Sequence, residues 1–131
     1  MNYQGEVIKR LQELCSTVNN YAGTDWYCLT YGTHQMVYVP SKKSFNSIRI
    51  CIPHFDRFEH YDSELINSAI NETNREVKYI KVIVLGNGII SINYDHKGKN
   101  EINSIIKHIL KSLCFAAEYL KNKLHKNRIV S

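Results

Sequence analysis

The segment at residues 79–85 constrains the fold most, because it predicts a β-strand that is apolar on both faces. Alternate residues of a strand point to opposite sides of a sheet. One face carries Ile80, Val82 and Val84, and the other carries Tyr79, Ile83 and Leu85, interrupted by Lys81. Each face needs a cover, which can come from helices of the same chain or from a second molecule.

The first sixty residues predict one helix followed by three strands. Apolar residues recur at spacings of three and four over residues 4–20, which is typical of an amphipathic helix. Runs of aromatic and β-branched residues at 26–31, 36–39 and 47–52 alternate with turn segments that contain Gly or Pro. This alternation favours a three-stranded antiparallel meander. Pro53 and the charged residues after it are expected to end the third strand.

The rest of the chain predicts a helix, a hairpin and a long final helix. Asp62 or Ser63 can cap the first of these helices, and Asn100 can cap the last. Asn87-Gly88 favours the positive dihedral angles of a tight hairpin turn. The order helix-strand-strand-strand-helix-strand-strand-helix predicts a single α+β sandwich with helices on one face of an antiparallel sheet. We expect this domain to span residues 1–125, with a loose tail at 126–131.

Composition indicates an ordinary globular protein, with 44% hydrophobic and 22% charged residues. The N-terminal residues lack the pattern of a signal peptide, and no apolar run reaches the length of a membrane helix. The four cysteines are widely spaced and form no Cys-x-x-Cys pair, as expected of small core residues in a reducing compartment. We therefore predict a cytoplasmic protein with no membrane partner.

The sequence contains no set of residues that predicts a metal site or a catalytic nucleophile. Cys51 and His54 form one Cys-x-x-His pair, whereas structural zinc sites need four ligands in recognisable pairs. A catalytic cysteine needs a nearby base, and all four cysteines fall within predicted helices or strands. Histidines near predicted strand ends could still converge: His34, His54, His60 and His96. We predict no metal, no cofactor and no enzymatic activity; a cluster of such groups around a deep pocket would reopen the question of catalysis.

Positive charge is concentrated at the C-terminal end. Residues 97–131 carry eight basic and two acidic side chains, and the formal net charge of the whole chain is +5. Clustered cations can neutralise phosphates, which makes a nucleic-acid-binding module the alternative hypothesis. Lysines on the outer stripe of a helix are more often a solvated face. The residues of the alternative site are Lys107, Lys111, Lys121, Lys123, Lys126 and Arg128.

Residues 65–94, which contain most of INETNREVKYIKVIVLGNGIISINYDH, and the helix IIKHILKSLCFAAEYLKNKL resemble the bacterial YbjN family and its relatives with the type III secretion chaperone-like fold. The shared pattern is a helix that ends in an Asn-containing stretch, two alternating strands and a long Ala-containing helix. The resemblance implies a compact sandwich that is often dimeric. In the chaperones such domains hold an extended stretch of an effector on apolar surface, and in YbjN-like proteins the implied role is regulatory. This chain is basic, whereas the chaperones are typically acidic.

We therefore predict a non-enzymatic protein-binding, chaperone-like or regulatory domain that acts through apolar sheet and helix surface. A second copy of the chain, as a homodimer, or a protein or peptide partner would bury the second face of the strand at 79–85; its edge could also recruit a partner strand. The predicted contact residues are Tyr79, Lys81, Ile83, Leu85, Ile89 and Ser91. The alternative is that a loop of the same chain covers this face.

Overall fold

The computed structural model describes residues 3–41, 47–98 and 101–126, without the side chain of Lys126. Its elements are α1 (Tyr3–Leu14), β1 (Thr17–Asn20), β2 (Tyr27–Tyr31), β3 (His34–Val39), β4 (Ser47–Arg57), a 3-10 turn (Phe58–His60), α2 (Ser63–Glu76), β5 (Ile80–Val84), β6 (Ile89–Lys97) and α3 (Ile102–Lys126). The predicted single-domain α+β class is confirmed, with one strand more than expected. The predicted tail at 126–131 lies outside the described residues except for Lys126, which ends α3.

The six strands form one antiparallel sheet in the order β1-β2-β3-β4-β6-β5. Tyr38, Ile50, Tyr94 and Ile80 are neighbours in register across the four strands from β3 to β5, and none is more than 5% exposed. Buried residues of all three helices join the same hydrophobic cluster. The helices therefore lie on one face of the sheet, as the sequence predicts.

Helix α3 supplies the largest part of this cover. It packs against β4, β5 and β6 and also against α1 and α2. Its buried residues form one apolar stripe along the helix: Ile106, Ile109, Leu110, Leu113, Ala116, Ala117, Leu120 and Leu124. In the part of the chain that the structure describes, none of the helices has the length of apolar sequence that a bilayer crossing requires.

The first helix is shorter than the predicted span of 4–20. It ends at Leu14, and Thr17–Asn20 forms β1, which pairs antiparallel with β2. The hydroxyl of Thr17 lies 2.8 Å from that of Thr30 on the neighbouring strand. Val18 still faces the core as the helical spacing required, so its burial is compatible with either element. The cross-strand pairing, which is not local in sequence, decides between them.

Strand β4 continues through Pro53, contrary to the prediction that the strand ends there. It runs to Arg57, and its register with β6 shifts between Ile52 and Asp56. Three residues of β4, at 53–55, thus stand opposite Ser91 alone. Pro is tolerated in sheets at such bulges, because the missing N–H is not needed for a ladder hydrogen bond.

The β5–β6 hairpin turns at the predicted position but with a different geometry. Leu85 donates its N–H to the carbonyl of Ile89 at 2.8 Å, so that three residues, 86–88, form the loop. Gly88 has a φ of +85°, whereas Asn87 does not adopt a positive φ. The loop therefore differs from the two-residue turn expected for Asn-Gly.

The start of α2 is confirmed. Asp62 precedes the first helical residue with extended backbone angles, and its carboxylate accepts the N–H of Leu65 at 3.3 Å. This bond satisfies one of the free N–H groups at the helix start. The predicted cap of the last helix, Asn100, lies outside the described residues.

The one-sided core gives a first prediction. Ile50→Ala removes a fully buried side chain at the centre of the sheet, and we expect it to lower the free energy of unfolding by about 2–5 kcal/mol in a urea titration. Ile83→Ala, on the opposite face and 38% exposed, should cost about 1 kcal/mol or less. Equal losses for the two variants would contradict a core on one side only.

Candidate functional site

The second face of the sheet, which we call the open face, is covered by no helix among the described residues, although two small residues on it, Cys51 and Ser91, are only 9% and 5% exposed. The side chains on this face alternate along each strand with the side chains that are buried against the helices. A row across its centre contains Cys28, Val37 and Cys51 on three adjacent strands and continues to Asn93. The alternative hypothesis of a covering loop therefore finds no support within 3–41, 47–98 and 101–126.

Most of the predicted contact residues lie together on the open face. Ile83 and Leu85 are 38% and 42% exposed, and Lys81 is exposed beside them. Ile89 on β6 is half-buried, whereas Ser91 is only 5% exposed and lies 3.3 Å from the side-chain oxygen of Asn93. The apolar part of this group is thus a patch at the hairpin end of β5 and β6.

Tyr79 does not share this face, contrary to its place in the predicted alternation. Its φ is +66°, the one positive value among the described residues other than glycine. The ring lies 5.9 Å from the ring of Tyr94 and edge-on to His108 of α3, both on the helix side of the sheet. A positive φ is costly for a bulky residue and turns its side chain out of the strand pattern.

The edge of β5 is closed in its middle by Asn74 of α2. Leu85 bonds to β6, so alternation directs the main-chain groups of Ile80, Val82 and Val84 outward. The amide of Asn74 accepts the N–H of Val82 at 2.6 Å and donates to its carbonyl at 3.1 Å. It therefore occupies the groups that a partner strand would need for β-augmentation.

We call the two hydrogen bonds between Asn74 and Val82 the clamp, and removing it should expose the edge of β5. In Asn74→Ala the N–H of Val82 loses its acceptor, and we expect its hydrogen exchange to accelerate and the free energy of unfolding to fall by about 1–2 kcal/mol. Asn71→Ala, one turn earlier on an exposed position of the same helix, is the matched control and should change neither quantity. Unchanged exchange at Val82 in Asn74→Ala would refute the clamp.

Several histidines and carboxylates converge in a polar cleft of about 420 Å³ between β3, β4 and α3. His34 and His54, predicted as possible neighbours, both line it, and Nε2 of His34 lies 3.9 Å from Oε1 of Glu118. His60 reaches it only through Asp56, and His96 lies elsewhere, next to His108. His125 and Lys121 also line the cleft.

The carboxylate of Asp56 accepts more hydrogen bonds than any other side chain that lines this cleft. Burial raises its pKa, but hydrogen bonds from Tyr61, from the N–H of Arg57 and from His60 outweigh burial and leave the pKa below 3.8. The Tyr61 hydroxyl lies 2.5 Å and His60 Nδ1 2.7 Å from the carboxylate. These donors hold Asp56 ionised and fix its position.

The pKa of Asp56 predicts a pH-dependent effect of Tyr61→Phe. A carboxyl whose pKa is lowered by folding stabilises the protein above the unfolded pKa of about 3.8, and this stability is lost as the pH falls. We expect Tyr61→Phe to raise the pKa of Asp56, measured by carboxyl NMR, and to cost about 1 kcal/mol near pH 7. The cost should shrink below pH 4. Tyr21→Phe, which alters an exposed ring, is the control; a cost independent of pH would contradict the assignment.

Three of the four cysteines have a raised pKa, which disfavours the thiolate form that nucleophilic chemistry needs. Burial raises the pKa of Cys15 and of Cys51 to about 11, and burial also raises that of Cys114. All four cysteines are free. No three His, Cys, Asp or Glu side chains within the described residues are arranged to hold a metal ion.

The basic residues of the alternative site do not form one patch. Lys107 and Lys111 lie one turn apart on the exposed side of α3, whereas Lys121 lines the polar cleft. Lys123 is directed to Glu72 at 2.6 Å and lies over the ring of Tyr119. The side chain of Lys126 and all of Arg128 lie outside the described residues.

The sequence patterns described above do not single out Asn74 or Phe115. Phe115 is 60% exposed and faces away from the core. It lies on the polar side of α3, between Lys111 and Glu118 on the helix surface. A large aromatic residue inside a polar stripe is a signal that the sequence does contain. The role of Asn74 depends on the approach of α2 to β5, which no local pattern shows.

No protein-family model matches the chain, and no curated protein matches it either. A solved structure of an uncharacterized protein from Methanothermobacter thermautotrophicus has a similar fold, with a TM-score of 0.65 and 11% sequence identity over 95% of this chain and 97% of that chain. At this identity the likeness shows the fold alone. The resemblance to the YbjN family therefore stays a prediction.

Proposed function

We propose that the protein is a non-enzymatic protein-binding domain that forms a homodimer through the open face of its sheet. The observation that carries the proposal is a six-stranded sheet with helices on one side and exposed Ile83 and Leu85 on the other. Exposed aliphatic side chains that adjoin on a sheet face are typical of contact surfaces. A second copy of the chain offers the same surface by symmetry.

Several polar groups of the open face support this proposal because they are already paired with one another. Arg49 and Asp95 lie opposite each other on β4 and β6, with Nε 2.6 Å from Oδ1. Asn93 donates to the carbonyl of Lys81 at 3.2 Å. A partner that covers these groups would bury few unsatisfied donors or acceptors, which lowers the cost of desolvation.

The remaining chemistry is consistent with a binding role in the cytoplasm. The free cysteines suit a reducing compartment, and the raised pKa values of Cys15, Cys51 and Cys114 disfavour thiolate chemistry. In the polar cleft, hydrogen bonds from neighbouring side chains hold Asp56, as in a structural network, whereas Glu118 lies 3.9 Å from His34. The role in a cellular process would follow from the partner.

The proposal predicts that Ile83→Asp disrupts self-association. A carboxylate buried at the centre of the contact would be unpaired, so light scattering after size exclusion should show a dimer for the parent and a monomer for the variant, with the dissociation constant raised roughly tenfold or more. Val84→Asp is the matched control, since Val84 is 40% exposed on the same strand but points to the helix side. It should remain dimeric.

Two results would reject the homodimer. One is a parent protein that stays monomeric at high concentration. The other is equal dissociation of the Ile83→Asp and Val84→Asp variants, which would place the contact elsewhere or reflect a general loss of stability.

A further inference from the structure

The two most exposed large apolar side chains of the described residues, Tyr79 and Phe115, line the same groove. The groove lies between the corner that joins α2 to β5 and the outer side of α3. Its volume is about 530 Å³, within the roughly 300–1,000 Å³ range of ligand pockets. Its lining residues are Glu76, Val77, Lys78, Tyr79, His108, Lys111, Ser112 and Phe115.

The aromatic walls are held in place by packing within the chain. The ring of Tyr79 lies edge-on to His108, at 6.5 Å between centroids, while its main chain keeps a φ of +66°. The ring of Phe115 lies 6.2 Å from the ring of Tyr119 and is tilted by 32° to it. Strained backbone angles in non-glycine residues concentrate at functional sites. Aromatic side chains that are both exposed and fixed lose little entropy on binding and are enriched among the residues that dominate binding energy.

The charge of the groove selects an acidic occupant. Lys78 and Lys111 are exposed at its rim. Its one carboxylate, that of Glu76, lies 3.5 Å from Nε of Arg75 and is compensated there. Lys107 adds a further exposed cation one turn from Lys111. Anionic groups bound in the groove would gain favourable interactions with Lys78 and Lys111, which line it together with the buried Val77.

We propose that this groove binds a short segment of another protein in which a bulky apolar side chain is flanked by acidic residues. The apolar side chain would lie between Tyr79 and Phe115, and the carboxylates would reach Lys78 and Lys111. This inference rests on the proposed protein-binding role but uses a different surface. Loss of the homodimer in the Ile83→Asp experiment therefore leaves the groove intact, and failure of the groove leaves the dimer intact.

The probe is a phage-displayed library of random peptides of roughly a dozen residues, long enough to span such a groove. Selection uses the parent protein and discards phage that also bind a Tyr79→Ser, Phe115→Ser double variant. We expect enriched sequences that combine Phe, Trp, Leu or Ile with Asp or Glu. Both substituted side chains are largely exposed, and thermal melting checks that the double variant is folded.

The best enriched peptide is then synthesised with a fluorescent label and titrated by anisotropy. Phe115→Ser should weaken its binding about tenfold or more, and so should the charge reversals Lys78→Glu and Lys111→Glu together. Tyr21→Ser alters an equally exposed aromatic residue on the β1–β2 turn and should leave the affinity unchanged.

Three outcomes overturn the proposal. The library yields no sequence enriched over the double variant, the enriched peptides bind equally well after charge reversal, or a labelled oligothymidylate binds with high salt sensitivity and competes for the groove. The last result would assign the aromatic walls and lysines to single-stranded nucleic acid, whose bases stack on aromatic side chains.

Discussion

The packing of α3 against the middle of the sheet is the contact on which the other parts of the structure depend. Its apolar stripe covers β4, β5 and β6 and provides a surface for α1 and α2. Hairpins join the strands from β1 to β4 and join β5 to β6, while α2 connects β4 to β5. Because all three helices pack on the same side, one face of the sheet is covered by helices and the other is not. The groove is a consequence of the same arrangement, since it forms where α3 passes the start of β5.

Periodic features could be predicted from the sequence because they record burial directly. The apolar stripe of α3 and the alternation of buried and exposed residues in β5 and β6 each repeat several times, so a single residue that departs from the pattern does not hide it. Boundaries were less secure. Val18 continues the spacing of α1, yet its burial is equally served by a strand, and the pairing of β1 with β2 decides the outcome. Pro53 predicts the end of a strand, but a bulge accommodates it inside β4.

Residues of the candidate surfaces can likewise be predicted from the sequence only where the periodic pattern holds. Ile83 and Leu85 were placed correctly because they lie where alternation holds. Tyr79 lies one residue before β5, and its positive φ redirects the ring to the helices. Tyrosine has no local preference for such a conformation, so nothing in the sequence indicates it. Distant contacts with Tyr94 and His108 determine its position.

The clamp formed by Asn74 blocks the middle of one edge of the sheet. An edge that offers free N–H and C=O groups can add a strand, and a sheet with two such edges can grow without limit. Here the amide of Asn74 occupies the N–H and the carbonyl of Val82, in the middle of β5. A partner strand would have to displace the amide of Asn74 before it could pair with the middle of β5, so a single side chain makes this edge resistant to strand addition.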